Sequence, residues 1–102
     1  MSSKISAIRE YELVYIIQPD LEENAVSQVD DRVAQTIANQ GGTITKTELW
    51  GKRRLAYPIQ KHFEGHYILH HMQMPGAGVD ELERFFRFNE DVVRFLVFRL
   101  DA

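Results

Sequence analysis

The chain has 102 residues and a mass of 11.9 kDa, the size at which one hydrophobic core is the rule. Apolar residues make up 44% and charged residues 26%, a balance that excludes a disordered chain, and the lack of cysteine excludes a disulfide scaffold, a thiolate nucleophile and any Cys-ligated metal. The formal net charge of −3 argues against binding nucleic acid by bulk charge alone.

Met1 to Glu10 lacks the apolar block of a signal peptide, and residues 1–7 read as a flexible N-terminal extension to a domain spanning 8–102. Residues 10–17 alternate Tyr11, Leu13, Tyr15 and Ile17 with Glu10, Glu12, Val14 and Ile16. A period of two with aromatic and β-branched content predicts a strand, and its half-apolar second face predicts a central one. The longest apolar run, Leu13 to Ile17, is far short of the roughly 20 residues needed to span a membrane. Pro19-Asp20 turns the chain toward a helix whose stripe is Val26, Val29, Val33 and Ile37, ended by Gly41-Gly42. Thr43 to Trp50 predicts a second strand, polar enough for a sheet edge. Gly51 to Glu64 reads as a basic connection containing Pro58, and a third strand is expected from about Gly65 to Met74. Pro75 to Gly78 reads as a loop. Val79, Leu82, Phe85 and Phe86 mark a second helix, and Val92 to Leu100 a last strand.

The order β-α-β-β-α-β predicts an α+β, ferredoxin-like split β-α-β fold: a four-stranded antiparallel sheet with two helices on one face. The other face has no predicted element to cover it. On the third strand His66, Ile68, His70, Met72 and Met74 share one face, and Tyr67, Leu69, His71 and Gln73 the other. On the last strand Val93, Phe95 and Val97 oppose Arg94, Leu96, Phe98 and Leu100. A sheet with one wet face should be polar on that side. Scattered surface apolar groups are normal, but this excess recurs on three strands. Part of the open face is therefore expected to be covered by something outside the chain.

Charge is unevenly placed. Residues 1–31 carry two basic and seven acidic side chains, whereas residues 46–61 carry five basic and one acidic. Lys52, Arg53, Arg54 and Lys61 surround Tyr57 within this second run, a combination suited to phosphates and an exposed base, although a charge run on a wet loop is the commoner meaning. His62, His66 and His70 recur every four residues, but on a strand that spacing separates neighbours by about 13 Å, too far for one metal ion. His70 is expected to pack with a satisfied ring nitrogen, and His71 to face the other way. Arg84 is expected to pair with a nearby carboxylate; Arg87 and Arg94 are candidates for contacts outside the chain. No Gly-rich phosphate loop and no nucleophile motif is present, so no catalytic residue is assigned and no cofactor or metal is expected.

Several RNA-binding domains share this element order. The stretch Glu64 to His71 keeps only Gly65 and Tyr67 of the RNA recognition motif's third-strand pattern, which rejects that assignment. Trp50-Gly51-Lys52-Arg53-Arg54-Leu55-Ala56-Tyr57-Pro58-Ile59 resembles the signature of the bacterial small-subunit ribosomal protein S-six family. Arg9 to Leu13, Gly65-His66-Tyr67, Met74-Pro75, Phe86 to Asn89 and Val92-Val93-Arg94 are similar to further parts of it, over residues 8–100. The resemblance implies a non-catalytic ribosomal protein of the cytoplasm, or of a plastid or mitochondrial ribosome. It would bind the central domain of small-subunit ribosomal RNA together with the small basic protein S-eighteen. On that reading Lys52, Arg53, Arg54, Lys61 and Arg87 are expected to contact RNA. Tyr67, Leu69, Arg94, Leu96 and Phe98 are the candidate partner interface on the open sheet face. The competing expectation is a ferredoxin-like regulatory domain that binds a small molecule or metal.

Overall fold

Alternating apolar residues give β1, Ile8–Ile17, whose Leu13, Tyr15 and Ile17 side chains are fully buried. The helical stripe forms α1, Glu23–Asn39, which buries Val29, Val33 and Ile37. The helix stops where Gly41 takes φ +81°, and the Gly41 and Gly42 amides donate back to the carbonyls of Ala38 and Ile37. Next come β2 (Thr43–Ile59), β3 (His62–Pro75), α2 (Gly76–Arg87) and β4 (Val92–Arg99). This computed structural model describes residues 7–101, so the expected extension at 1–7 lies, apart from Ala7, outside the described residues.

The strands form a four-stranded sheet in the order β2-β3-β1-β4, and every pairing is antiparallel. As expected, β1 is central and β2 lies at an edge. Both helices pack their apolar stripes on one face, where Leu82 and Phe86 of α2 join Val33 and Ile37 of α1 over Tyr15, Ile68, Met72 and Met74. This is the ferredoxin-like arrangement anticipated from the element order.

Three local expectations are corrected. The stretch Gly51 to Glu64 is not a connection. It is the second half of β2 and the start of β3, joined by a two-residue turn in which Gln60 and Lys61 have φ of 52° and 70°. Positive φ at both central residues matches the twist of a hairpin. The Pro75 to Gly78 loop is also absent: α2 begins at Gly76, directly after β3. Gly78 is there for space, since a Cβ would lie 2.8 Å from Gln40 Cβ and 2.9 Å from Met74 Cε. Finally, a register shift in β1–β4 pairs Arg94 with Ile16 but Val92 with Ile17. This bulge sends Val92 into the main core and turns Val93 to the opposite face, where it packs with Ile16 and Leu55.

That second cluster changes the picture of the open face. Between Arg54↔Glu64 and Ile59↔His62, β2 advances five residues while β3 advances two, so Leu55 to Pro58 bulge away from the ladder. Leu55 is buried against Ile16 and Val93. The expectation that nothing in the chain covers this face therefore holds for only part of it. Gly65 makes the crossing of hairpin and β1 possible: a Cβ there would sit 2.3 Å from Ile16 Cγ2 and 3.1 Å from the Ile17 carbonyl oxygen.

Candidate nucleic-acid and protein interface

The hairpin arm positions the basic residues. Lys52, Arg53 and Arg54 are consecutive on the edge strand and exposed, and none of them is ion-paired among the described residues. Gly51, at φ +78° beside a register shift, redirects β2 just before them. Lys61 lies in the hairpin turn, beside Arg54, His62 and Phe63 in a shallow recess. On the other side of the tip, Gln60 shares a recess with Arg87 at the end of α2 and with Arg94 of β4. The tip thus draws together cations from three elements, while Lys52 and Arg53 sit further along the arm. Apart from Glu64, which pairs in register with Arg54, no acidic side chain lines either recess.

The partner candidates divide. Tyr67 is half-buried beneath Trp50, with ring centroids 5.9 Å apart and planes 13° from parallel. Leu69 is only 7% exposed, so it is floor rather than contact surface. Leu96 and Phe98 are 40% and 49% exposed and carry the open part of the face, continued by Leu100. Arg94 donates from Nη1 to the Tyr57 hydroxyl at 2.6 Å, which ties the bulge of β2 to β4. Val14, Ile16, Leu55, Tyr57, Tyr67, Arg94 and Leu96 line an apolar recess between them. Tyr57 is therefore not a core residue: its hydroxyl is tied to Arg94 while 57% of the residue stays exposed.

Trp50 was not singled out by charge or periodicity. Its indole N–H donates to the Glu48 carboxylate at 2.8 Å, and Lys46 pairs with the same carboxylate at 3.0 Å. Those two hydrogen bonds hold the Glu48 carboxyl below the usual carboxylate range. The Arg53 guanidinium stands 5.6 Å from the Trp50 ring centroid, and Arg53 Nε donates to the Trp50 carbonyl at 3.3 Å. Arg84 also departs from expectation. It lies 5.9 Å from the ring centroid of exposed Phe88 and makes no ion pair among the described residues.

The histidines are engaged separately. His66 Nε2 meets the Leu21 carbonyl at 3.1 Å, and His71 Nε2 meets Glu12 at 2.9 Å on the opposite face. His70 is buried, with Nδ1 2.9 Å from the Thr47 hydroxyl and Nε2 2.7 Å from Asp30. Tyr15 donates its hydroxyl to the same Asp30 oxygen. A carboxylate only accepts, so Nε2 carries the hydrogen. Burial pulls the Asp30 carboxyl upward, but the hydrogen bonds from His70 and Tyr15 and the attraction of His70 outweigh it and leave it below its ordinary value. Burial, reinforced by the Asp30 charge, pushes the Tyr15 phenol upward. No group of three or more metal-ligating side chains converges among the described residues.

Comparison with known proteins agrees with this architecture. The chain is 42% identical over 94 residues to the small ribosomal subunit protein bS6 of Moorella thermoacetica, covering 92% of this chain and 96% of that one. It is 42% identical over 94 residues to the bS6 of Heliobacterium modesticaldum, at 92% and 98% coverage. The crystal structure of 30S ribosomal protein S6 from Thermotoga maritima superposes with a TM-score of 0.88 at 34% identity, covering 92% of this chain and 89% of that one. An uncharacterized Thermotoga maritima protein, at 16% identity and a TM-score of 0.59, shares the fold alone. The profile of ribosomal protein S6 matches residues 10–99, and with these relatives it shows that the chain belongs to the ribosomal protein S6 family of the small ribosomal subunit.

Proposed function

We propose that this chain is a non-catalytic structural protein of the small ribosomal subunit in the cytoplasm. In this reading residues 8–102 act as one domain that binds the central domain of ribosomal RNA jointly with the small basic protein S-eighteen. Family membership supports the ribosomal role. The observation that carries the joint-binding reading is the separation of two surfaces. The arm and tip of the β2–β3 hairpin are cationic, with Lys52, Arg53, Arg54 and Lys61 exposed and Arg87 exposed nearby at the end of α2. The β4 side of the open sheet face is apolar, with Leu96 and Phe98 at its centre and Arg94 and Tyr67 flanking it. The first suits phosphates; the second suits a protein that removes apolar surface from water and adds positive charge to an acidic chain.

The test is a salt titration of binding to a central-domain RNA fragment in the presence of S-eighteen. Converting Lys52, Arg53 and Arg54 together to Gln removes three phosphate contacts. At about 0.7 per contact for single-stranded RNA, the log–log salt slope should fall by about two. An unchanged slope removes these residues from the RNA role. Phe98→Ser should weaken S-eighteen association without altering the RNA slope.

A further inference from the structure

We propose that Trp50, backed by Tyr67, is a stacking platform for one unpaired nucleobase, with Arg53 holding the phosphate beside it. The inference rests on the RNA-binding reading and deepens it by naming what part of the RNA this site takes.

Three observations carry it. The indole is already oriented. Tyr67 stacks nearly parallel to it, and Glu48 accepts its N–H, so the ring does not have to be ordered on binding. Despite these contacts Trp50 remains 39% exposed, on the edge strand of the sheet. The Arg53 guanidinium stands over the ring, 5.6 Å from its centroid, so a base takes that face as Arg53 turns aside to the neighbouring phosphate. The surroundings select the ligand's charge. Lys52, Arg53 and Arg54 follow directly, while the Glu48 carboxylate at the ring is occupied by Lys46 and by the indole itself. Such a site repels a basic protein and attracts a polyanion. Within a duplex the faces of the bases are covered by their neighbours, so a ring face can engage only a base that has left the stack.

Trp50 is the sole tryptophan, so the native full-length chain reports on its own site. Its fluorescence is followed while three probes are added: single-stranded oligoadenylate, an RNA duplex of matched charge, and inorganic polyphosphate. Binding is measured in parallel from the anisotropy of labelled RNA. The expected result is strong quenching by the single strand and little by duplex or polyphosphate at equal saturation. Trp50→Ala should weaken single-strand binding roughly tenfold, the scale of one base–aromatic stack, and leave the salt slope unchanged, whereas Trp50→Phe restores most of the affinity. Quenching that is equal for polyphosphate and single strand overturns the proposal. So does undiminished binding by a folded Trp50→Ala chain, or a fluorescence change produced by S-eighteen and not by RNA. In each of those cases the RNA-binding reading stands. If labelled RNA does not bind, with or without S-eighteen, that reading falls and the platform with it.

Discussion

Removing the Asp30 side chain should cost the fold about 3 kcal/mol. Asp30 lies on α1 and accepts hydrogen bonds from Tyr15 on β1 and His70 on β3, so it ties the helix to both central strands. Both donors are buried, at 0% and 1% exposure. Asp30→Ala therefore breaks two hydrogen bonds and leaves two buried donors without an acceptor. At roughly 1–3 kcal/mol for each orphaned group the sum is 2–6, and the partial exposure of Asp30 lets water replace some of it, so about 3 kcal/mol is expected. For a domain of this size that lowers Tm by roughly 12–24 °C. Tyr15→Phe removes a donor and leaves Asp30 still bonded to His70, so it should cost only about 1 kcal/mol. In the double variant one orphan disappears, so the combined loss should be smaller than the sum. The pH dependence follows from the sign of the shift. Asp30 is depressed in the folded state, so its contribution is complete above the unfolded value, near pH 4, and is lost as pH falls through the lower folded value. The Asp30 contribution to the stability gap between the native chain and Asp30→Ala should thus narrow as pH falls below about 4. Urea unfolding of the three variants across pH reads all of this. An Asp30→Ala chain within about 0.5 kcal/mol of the parent at pH 7 would refute the argument from orphaned donors.

Other expectations can be read from the same unfolding curves. Leu55→Ala should cost about 2–3 kcal/mol, because it opens the cluster with Ile16 and Val93 that fastens the β2 bulge onto the sheet; a loss under about 0.5 kcal/mol would mean that the bulge is not anchored there. Gly65→Ala puts a methyl 2.3 Å from Ile16 Cγ2 and should cost at least about 2 kcal/mol by overpacking, with the largest NMR shifts on Ile16 and Ile17. Phe98→Ser should change the stability of the isolated chain by less than about 1 kcal/mol, since nearly half of that residue already faces solvent; a larger loss would reassign it to the core.

The main architecture was legible because its signals are local. Period-two alternation marked β1, the three- and four-residue steps of Val26 to Ile37 marked α1, and the double glycine marked its end. The burial of His70 and the opposite orientation of His71 followed from strand periodicity alone. The hairpin was hidden for a physical reason. Its turn is Gln60-Lys61, residues that seldom adopt positive φ, so the usual Asn-Gly or Asp-Gly mark was missing. Pro58 argued against a strand, yet it sits in the bulge of an edge strand, where no ladder hydrogen bond is required of it. The bulge between Ile16 and Ile17 was equally invisible, and it alone moves Val93 from the helix-covered face to the other. Trp50 opens the family-like signature yet carries no role in the sequence reading, because its ring partner, Tyr67, lies on β3, where no spacing along β2 can place it.

The long hairpin explains how an acidic molecule presents two chemically different surfaces without a second domain. A short β2 ending at Trp50 would leave the basic run as a loop, free to spread over the apolar face beside it. Because the run continues as strand and is pinned at its far end by Leu55, its cations are held along the sheet edge and around the tip. The same pinning covers Ile16 and Val93, and leaves Leu96 and Phe98 open on the β4 side of the face. Arg94, bonded to Tyr57, sits at the boundary between the two regions. Breaking that bond with Tyr57→Phe should loosen the bulge and leave the core intact. Faster hydrogen exchange is expected in residues 55–59, with the amides of β1 unchanged. Equal protection in both variants would show that Leu55 holds the bulge by itself, and that Arg94 is then available to whatever docks on the exposed side.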